Sequence, residues 1–147
     1  MSKYWGEQQA KLYFELYDVP TTSIRFFSVY GAPQIPKEGS HSWAVAIFGA
    51  LAKKKKPITV YGDGNQIRDF THCSDIAQSV VLSIEKDSTN GKFFNVGTGK
   101  ATTVNNIVEK VFENVGEVPI NYKPYPKGDP LGGYADNTLM KKYLNWE

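Results

Sequence analysis

The stretch Val60-Tyr61-Gly62-Asp63-Gly64-Asn65-Gln66-Ile67-Arg68-Asp69-Phe70 decides how this chain is read. Two β-type segments, Ile58 to Tyr61 and Gln66 to Thr71, flank Gly62-Asp63-Gly64-Asn65. Glycine supplies positive φ without steric cost, and Asp and Asn side chains bond to nearby backbone, so the four residues predict a hairpin turn. Upstream, Trp43 to Lys53 has helical spacing and runs into Lys53-Lys54-Lys55-Lys56, which suits the negative end of a helix dipole, before Pro57 breaks it. Before that, Ser28 to Ser42 holds Gly31, Pro33, Pro36 and Gly39 without periodicity and is predicted to be the longest loop. Thr21 to Phe27 is β-branched and aromatic and predicts a strand, and Tyr4 to Tyr17 predicts an amphipathic helix that Asp18-Val19-Pro20 stops. Downstream, Ser74 or Asp75 caps a helix Ile76 to Lys86, and Lys92 to Gly97 is a strand. Thr102 or Thr103 then caps a helix Thr103 to Val115, followed by a strand Ile120 to Lys123. A turn-rich stretch, Pro124 to Gly133, leads to a short helix Asn137 to Leu144. Alternating strands and helices with no repeat indicate an α/β unit.

The 147 residues, 41% of them hydrophobic, are enough for the core of one domain. Seventeen basic against fifteen acidic residues leave a net charge of +2, which argues against a polyanion or an acidic membrane surface as main partner. On that balance Lys53 to Lys56 is read as a solvated helix end rather than a nucleic-acid patch. Cys73 is the single cysteine and can form no internal disulfide, which suits a reducing cytoplasm. No apolar run is long enough to span a membrane, and the N-terminus lacks the apolar core of a signal peptide. None of the thirteen glycines falls in a dinucleotide fingerprint or a phosphate loop. His41 and His72 stand apart, outside any triad or metal-ligand pattern, so no metal is expected.

Ordered segments along nearly the whole chain carry a resemblance. These are Ser2-Lys3 followed by Glu7; Arg25-Phe26-Phe27-Ser28-Val29-Tyr30-Gly31; the Val60 to Phe70 stretch; Asp75-Ile76 opening a helix; Phe94-Asn95-Val96-Gly97-Thr98-Gly99; and Gly128-Asp129, Ala135-Asp136 and Leu144-Asn145-Trp146. Together the chain resembles the extended short-chain dehydrogenase/reductases that act on nucleotide sugars, most of all UDP-sugar 4-epimerases, with nucleotide-sugar 4,6-dehydratases next. The resemblance implies the α/β C-terminal, substrate-binding lobe of a Rossmann-type enzyme, with the dinucleotide-binding half absent from these residues. Residues 1–147 would form a single lobe, and 1–27 would pack against that missing half. NAD is the implied cofactor of the parent enzyme, with none expected bound to this chain, which is expected to be inactive alone. A nucleotide sugar is the implied partner, and a homodimer or self-association through the first helix is expected because its apolar face needs cover. A free-standing nucleotide-binding module and a polyanion-binding domain are the other readings.

Residue by residue, Lys3 matches the lysine of the family's Tyr-x-x-x-Lys signature, which serves catalysis and holds the nicotinamide ribose. No tyrosine in this sequence has a lysine four residues on, so the phenol that the ammonium would help ionise is missing. Phe27 would line the cofactor, whereas Phe26 is read as core. Ser28 stands where an asparagine commonly meets the sugar, and its hydroxyl cannot donate and accept as an amide does. Thr59 and Tyr61 match the strand that borders the base, and Arg68 matches an arginine whose planar fork meets the diphosphate. Asp129 would accept from ribose hydroxyls. Pro126 takes the place of a second arginine, with Lys127 beside it as a substitute point charge. Glu7 and Arg25 are expected to form a buried structural pair, and Asn95 to Gly99 is expected to be a structural strand-to-helix turn.

Overall fold

The computed structural model describes residues 1–36 and 43–146, so His41 lies outside the described residues. Among the described residues, five α-helices are interspersed with eight short strands. Helix α1 (Ser2–Tyr17) leads to strands β1 (Thr22–Phe26) and β2 (Ser28–Tyr30), then α2 (Ala44–Lys53), β3 (Ile58–Tyr61), β4 (Ile67–Arg68) and β5 (Phe70–His72). Helix α3 (Cys73–Glu85), β6 (Lys92–Val96), β7 (Thr102–Thr103), α4 (Val104–Val115), β8 (Ile120–Lys123) and α5 (Thr138–Leu144) follow. The strands pair two by two: β1 with β6, β2 with β5 and β3 with β8 in parallel, β4 with β7 antiparallel.

Two apolar cores result. In the first, Ile58 and Val60 point inward while Thr59 and Tyr61 face the other way, the period-2 alternation of a half-buried strand. Val104, Val108 and Val111 recur at helical spacing on α4 and meet them together with Phe48 and Ala52 of α2. The second core gathers Phe94 and Val96 of β6, Ile76 of α3, Met140 and Leu144 of α5, and Trp146. Trp146 closes it by donating its indole N–H to the Asp75 carbonyl at 3.2 Å. Residues 67–72 join the two, because β4 pairs toward α4 and β5 pairs toward β1–β2.

Several expectations are corrected. Gly62 to Asn65 forms a turn, with Gly62 and Gly64 at positive φ, but the segments beside it do not make a hairpin. Asn105 takes the turn instead: its N–H bonds the Gly64 carbonyl at 3.0 Å and its amide the Asp63 carbonyl at 3.0 Å. With the turn tied to α4, β3 is free to pair β8. Ser28 to Tyr30 is a strand rather than part of the loop, ordered by β5. Helix α3 is capped by His72, whose Nδ1 accepts from the Ser74 N–H, instead of by Ser74 or Asp75. Glu7 and Arg25 do pair, at 2.7 and 2.5 Å, but only Glu7 is largely enclosed: its side chain is 11% exposed, whereas that of Arg25 is 41% exposed and stacks over Phe93. The bonds that Arg25 donates to Glu7 hold its pKa above the ordinary value. Phe26, at 53% exposure, is not core. Thr103, as one of the two expected caps, closes α4 with a reciprocal Thr103–Asn106 capping box.

No residue of α1 is buried. Its amphipathic pattern is real, yet Trp5 and Leu16 are 63% and 62% exposed, and Tyr4, Leu12, Tyr13 and Tyr17 stand out with them. The helix is held at few points, among them Thr21 Oγ donating to the Ala10 carbonyl at 2.8 Å. No helix among the described residues is long and apolar enough to cross a membrane.

Candidate functional site

A cleft of about 1190 Å³ opens beside β3 and β8. One wall comes from the β1–β2 junction, with Phe26, Phe27 and Ser28; the other comes from α2, β3, and the segment from Lys123 to Asp129. Six of the eight residues singled out from the sequence line it: Phe27, Ser28, Thr59, Tyr61, Arg68 and Asp129. Lys3, exposed at the start of α1, and Lys127 are not among its lining residues.

Local folding explains these placements. Thr59 and Tyr61 face the cleft because Ile58 and Val60 take the core side of β3. Ser28 is fixed by its N–H, which donates to the Asp69 carbonyl at 2.8 Å. Arg68 follows β4 and is half-buried; one guanidinium N–H is spent on the Ile67 carbonyl at 2.8 Å, and the rest of the fork makes no hydrogen bond among the described residues. An arginine with most of its donors uncommitted, facing a cleft, is suited to an oxyanion ligand. Asp129 ends a turn in which its N–H bonds the Pro126 carbonyl at 3.3 Å, and its carboxylate makes no bond among the described residues.

The residue that organises these parts is Asp69, noted in the sequence only as a motif member. Its side chain is fully enclosed. The carboxylate accepts from the Thr98 N–H at 2.8 Å, the Thr98 hydroxyl at 2.6 Å, the Gly99 N–H at 2.9 Å and the Ala135 N–H at 3.0 Å. Burial alone would push its pKa up, but these four bonds outweigh it and hold the group below its ordinary value. The expected structural turn at Asn95 to Gly99 is thus tied to Asp69. Gly97 is required there, since a Cβ would lie 2.5 Å from the carboxylate oxygen. Gln66, Lys123 and Tyr125 also line the cleft and escaped the sequence reading. Gln66 donates its amide to the Tyr61 carbonyl at 2.9 Å, which leaves its own enclosed carbonyl oxygen without a partner among the described residues. Gln66 and Lys123 had a readable signal, since they respectively begin and end the β-type segments Gln66 to Thr71 and Ile120 to Lys123; Tyr125 had none. No group of three or more potential metal ligands occurs among the described residues.

Residues 1–97 match the sequence profile of the NAD dependent epimerase/dehydratase family. The chain belongs to that family. Its relatives within the family extend the match to almost the whole chain. A putative UDP-glucose 4-epimerase of Methanocaldococcus jannaschii is 31% identical over 163 residues, covering 99% of this chain and 52% of that protein. Among solved structures, the UDP-glucose 4-epimerase of Thermotoga maritima with UDP-glucose superposes with a TM-score of 0.88 at 31% identity, over 98% of this chain and 46% of that one. The UDP-glucuronic acid 4-epimerase of Bacillus cereus, in complex with UDP-glucuronic acid and NAD, gives a TM-score of 0.84 at 26% identity, over 97% and 44%. The mixed α/β fold is therefore that of the epimerases, and this family member spans about half the length of the relatives it matches.

Proposed function

We propose that this chain is the nucleotide-sugar-binding portion of a UDP-sugar 4-epimerase. The observation that carries the reading is the uncommitted Arg68 fork in the same cleft as Thr59, Tyr61, Ser28 and Asp129. In it Thr59 and the Tyr61 ring border the base, Arg68 holds the diphosphate, Asp129 accepts from the ribose hydroxyls, and Ser28 meets the sugar. Phe27 forms the nicotinamide-side wall. The relatives' complexes with UDP-sugars and NAD support this assignment.

The chemistry that NAD would supply when bound in the parent enzyme is reversible hydride transfer at carbon 4 of the sugar. The described residues fit only one edge of that cofactor: Phe27 lines the cleft, Lys3 does not, and no glycine fingerprint is present. The task of this chain in the reaction is to hold and orient the sugar nucleotide, and Lys3 acts only beside the tyrosine its signature demands. The exposed face of α1 is the surface against which the dinucleotide-binding half packs, with 1–147 as a single lobe.

Calorimetric titration of the chain with UDP tests the reading. Saturable binding is expected, and Arg68→Ala should weaken it about ten- to a hundredfold, the loss of charge-assisted hydrogen bonds, while leaving uridine binding unchanged. A chain with no affinity for UDP, or an Arg68→Ala variant with full affinity, sinks it.

A further inference from the structure

We infer that Lys123, at the end of β8, is the second cation of the diphosphate site, the part that the family resemblance gives to Lys127. The inference rests on the reading of the cleft as a nucleotide-sugar site and adds the residue that completes its charge.

Among the described residues, the cleft's charged lining consists of Arg68 and Lys123 on the positive side and Asp129 on the negative. A nucleoside diphosphate ester brings about two negative charges, and Arg68 matches one of them. Strand register puts Lys123 within the same face as the base-side residues. In the parallel β3–β8 pair, Thr59 stands opposite Asn121 and Tyr61 opposite Lys123. Partners in a pair share a face of the sheet, and Tyr61 is on the face that β3 turns away from its core. The Gly62 N–H donates to the Lys123 carbonyl at 2.8 Å, so the backbone of Lys123 is fixed beside the point where the chain leaves Tyr61. Its ammonium makes no hydrogen bond or ion pair among the described residues.

Lys127 is held elsewhere. The turn from Pro126 to Asp129 has its two ends in the cleft lining and its middle, Lys127 and Gly128, outside it. Gly128 takes φ +90, as the third position of such a turn requires. Tyr125 anchors the segment by donating its hydroxyl to the Pro130 carbonyl at 2.7 Å, with its ring against Gly62. The turn therefore offers the cleft the Asp129 carboxylate and keeps Lys127 at its tip.

The test is titration of the full 147-residue chain and its variants with UDP and with uridine at two salt concentrations, thermal melts being run alongside. Lys123→Ala is expected to weaken UDP about three- to tenfold, the range spanned by exposed ion pairs and charged hydrogen bonds. It should also flatten the salt dependence, leave uridine unchanged and leave the melting temperature intact; Lys123→Arg should retain UDP. Lys110→Ala, on the outer face of α4, is the control. The inference is overturned if Lys127→Ala weakens UDP more than Lys123→Ala does, or if Lys123→Ala weakens uridine as much as UDP. Loss of affinity in Arg68→Ala with none in Lys123→Ala overturns this assignment and leaves the cleft reading standing. Absence of UDP binding by the unaltered chain removes both.

Discussion

Asp69 places a carboxylate where no water reaches it, among donors drawn from Thr98, Gly99 and Ala135. Such a group is tolerable only because every lone pair in use meets an N–H or O–H. Asp69→Asn keeps the shape but turns an NH₂ toward one set of those donors. Chemical denaturation should show a loss of about 2–4 kcal/mol, the scale of an enclosed charged hydrogen-bond network that has lost a partner. A loss below about 0.5 kcal/mol would mean that the carboxylate contributes no more than an ordinary surface side chain. The pH dependence follows from the depressed pKa. Folded Asp69 binds its proton less readily than an unfolded aspartate of pKa about 3.9, so its contribution is complete at neutral pH and drains away as pH falls through that value. Stability of the unaltered chain should accordingly decline below about pH 5, more steeply than that of Asp69→Asn. Asp63 and Asp136 are also depressed, by bonds from Asn65 and Thr138, but stand in solvent.

At the level of elements, α4 shows how much one cap carries. Thr103 accepts from the Asn106 N–H at 3.0 Å, and Asn106 returns the bond to the Thr103 N–H at 3.1 Å. Thr103→Ala should lower stability by about 1 kcal/mol in thermal or chemical unfolding; an unchanged midpoint would show the helix to be fixed by packing alone. This helix was readable in advance because its valines repeat at 3.6-residue spacing and its cap is a threonine, both local signals. Ile58 to Tyr61 was readable for the same reason. The strands Ser28–Tyr30 and Thr102–Thr103 were not, since two or three residues carry no period and become strands only by pairing with a distant partner. The hairpin expected around Gly62 to Asn65 failed because a turn fixes how the chain reverses and not what the emerging strands pair with; Asn105, forty residues from Asn65, decided that. Likewise the resemblance supplied six residues that line the cleft, while only strand register and a turn set Lys123 in that lining and Lys127 outside it.

For the molecule as a whole, the apolar face of α1 is the largest departure from ordinary burial. Tyr4, Trp5, Leu12, Tyr13, Leu16 and Tyr17 all stand exposed on a helix with no buried residue. The chain alone should therefore self-associate. Sedimentation velocity is expected to show species larger than the monomer that grow with concentration, and the double variant Trp5→Glu, Leu16→Glu should shift them to monomer. A concentration-independent monomer for the unaltered chain would show that these side chains are not sticky enough to drive assembly. The other molecular feature is the distance, along the chain, over which the cleft is put together. Asp69 waits for Ala135, sixty-six residues later, before its last donor arrives, and Ile67 bonds the Leu131 carbonyl at 3.0 Å. On the ribosome, the β3 and β4 region emerges well before the segment that carries Asp129, so the binding wall is completed only after about sixty further residues have been made. A growing chain thus holds its first core before it holds a site, while the second waits for Met140, Leu144 and Trp146; a chain cut short before residue 129 can begin to fold and never bind.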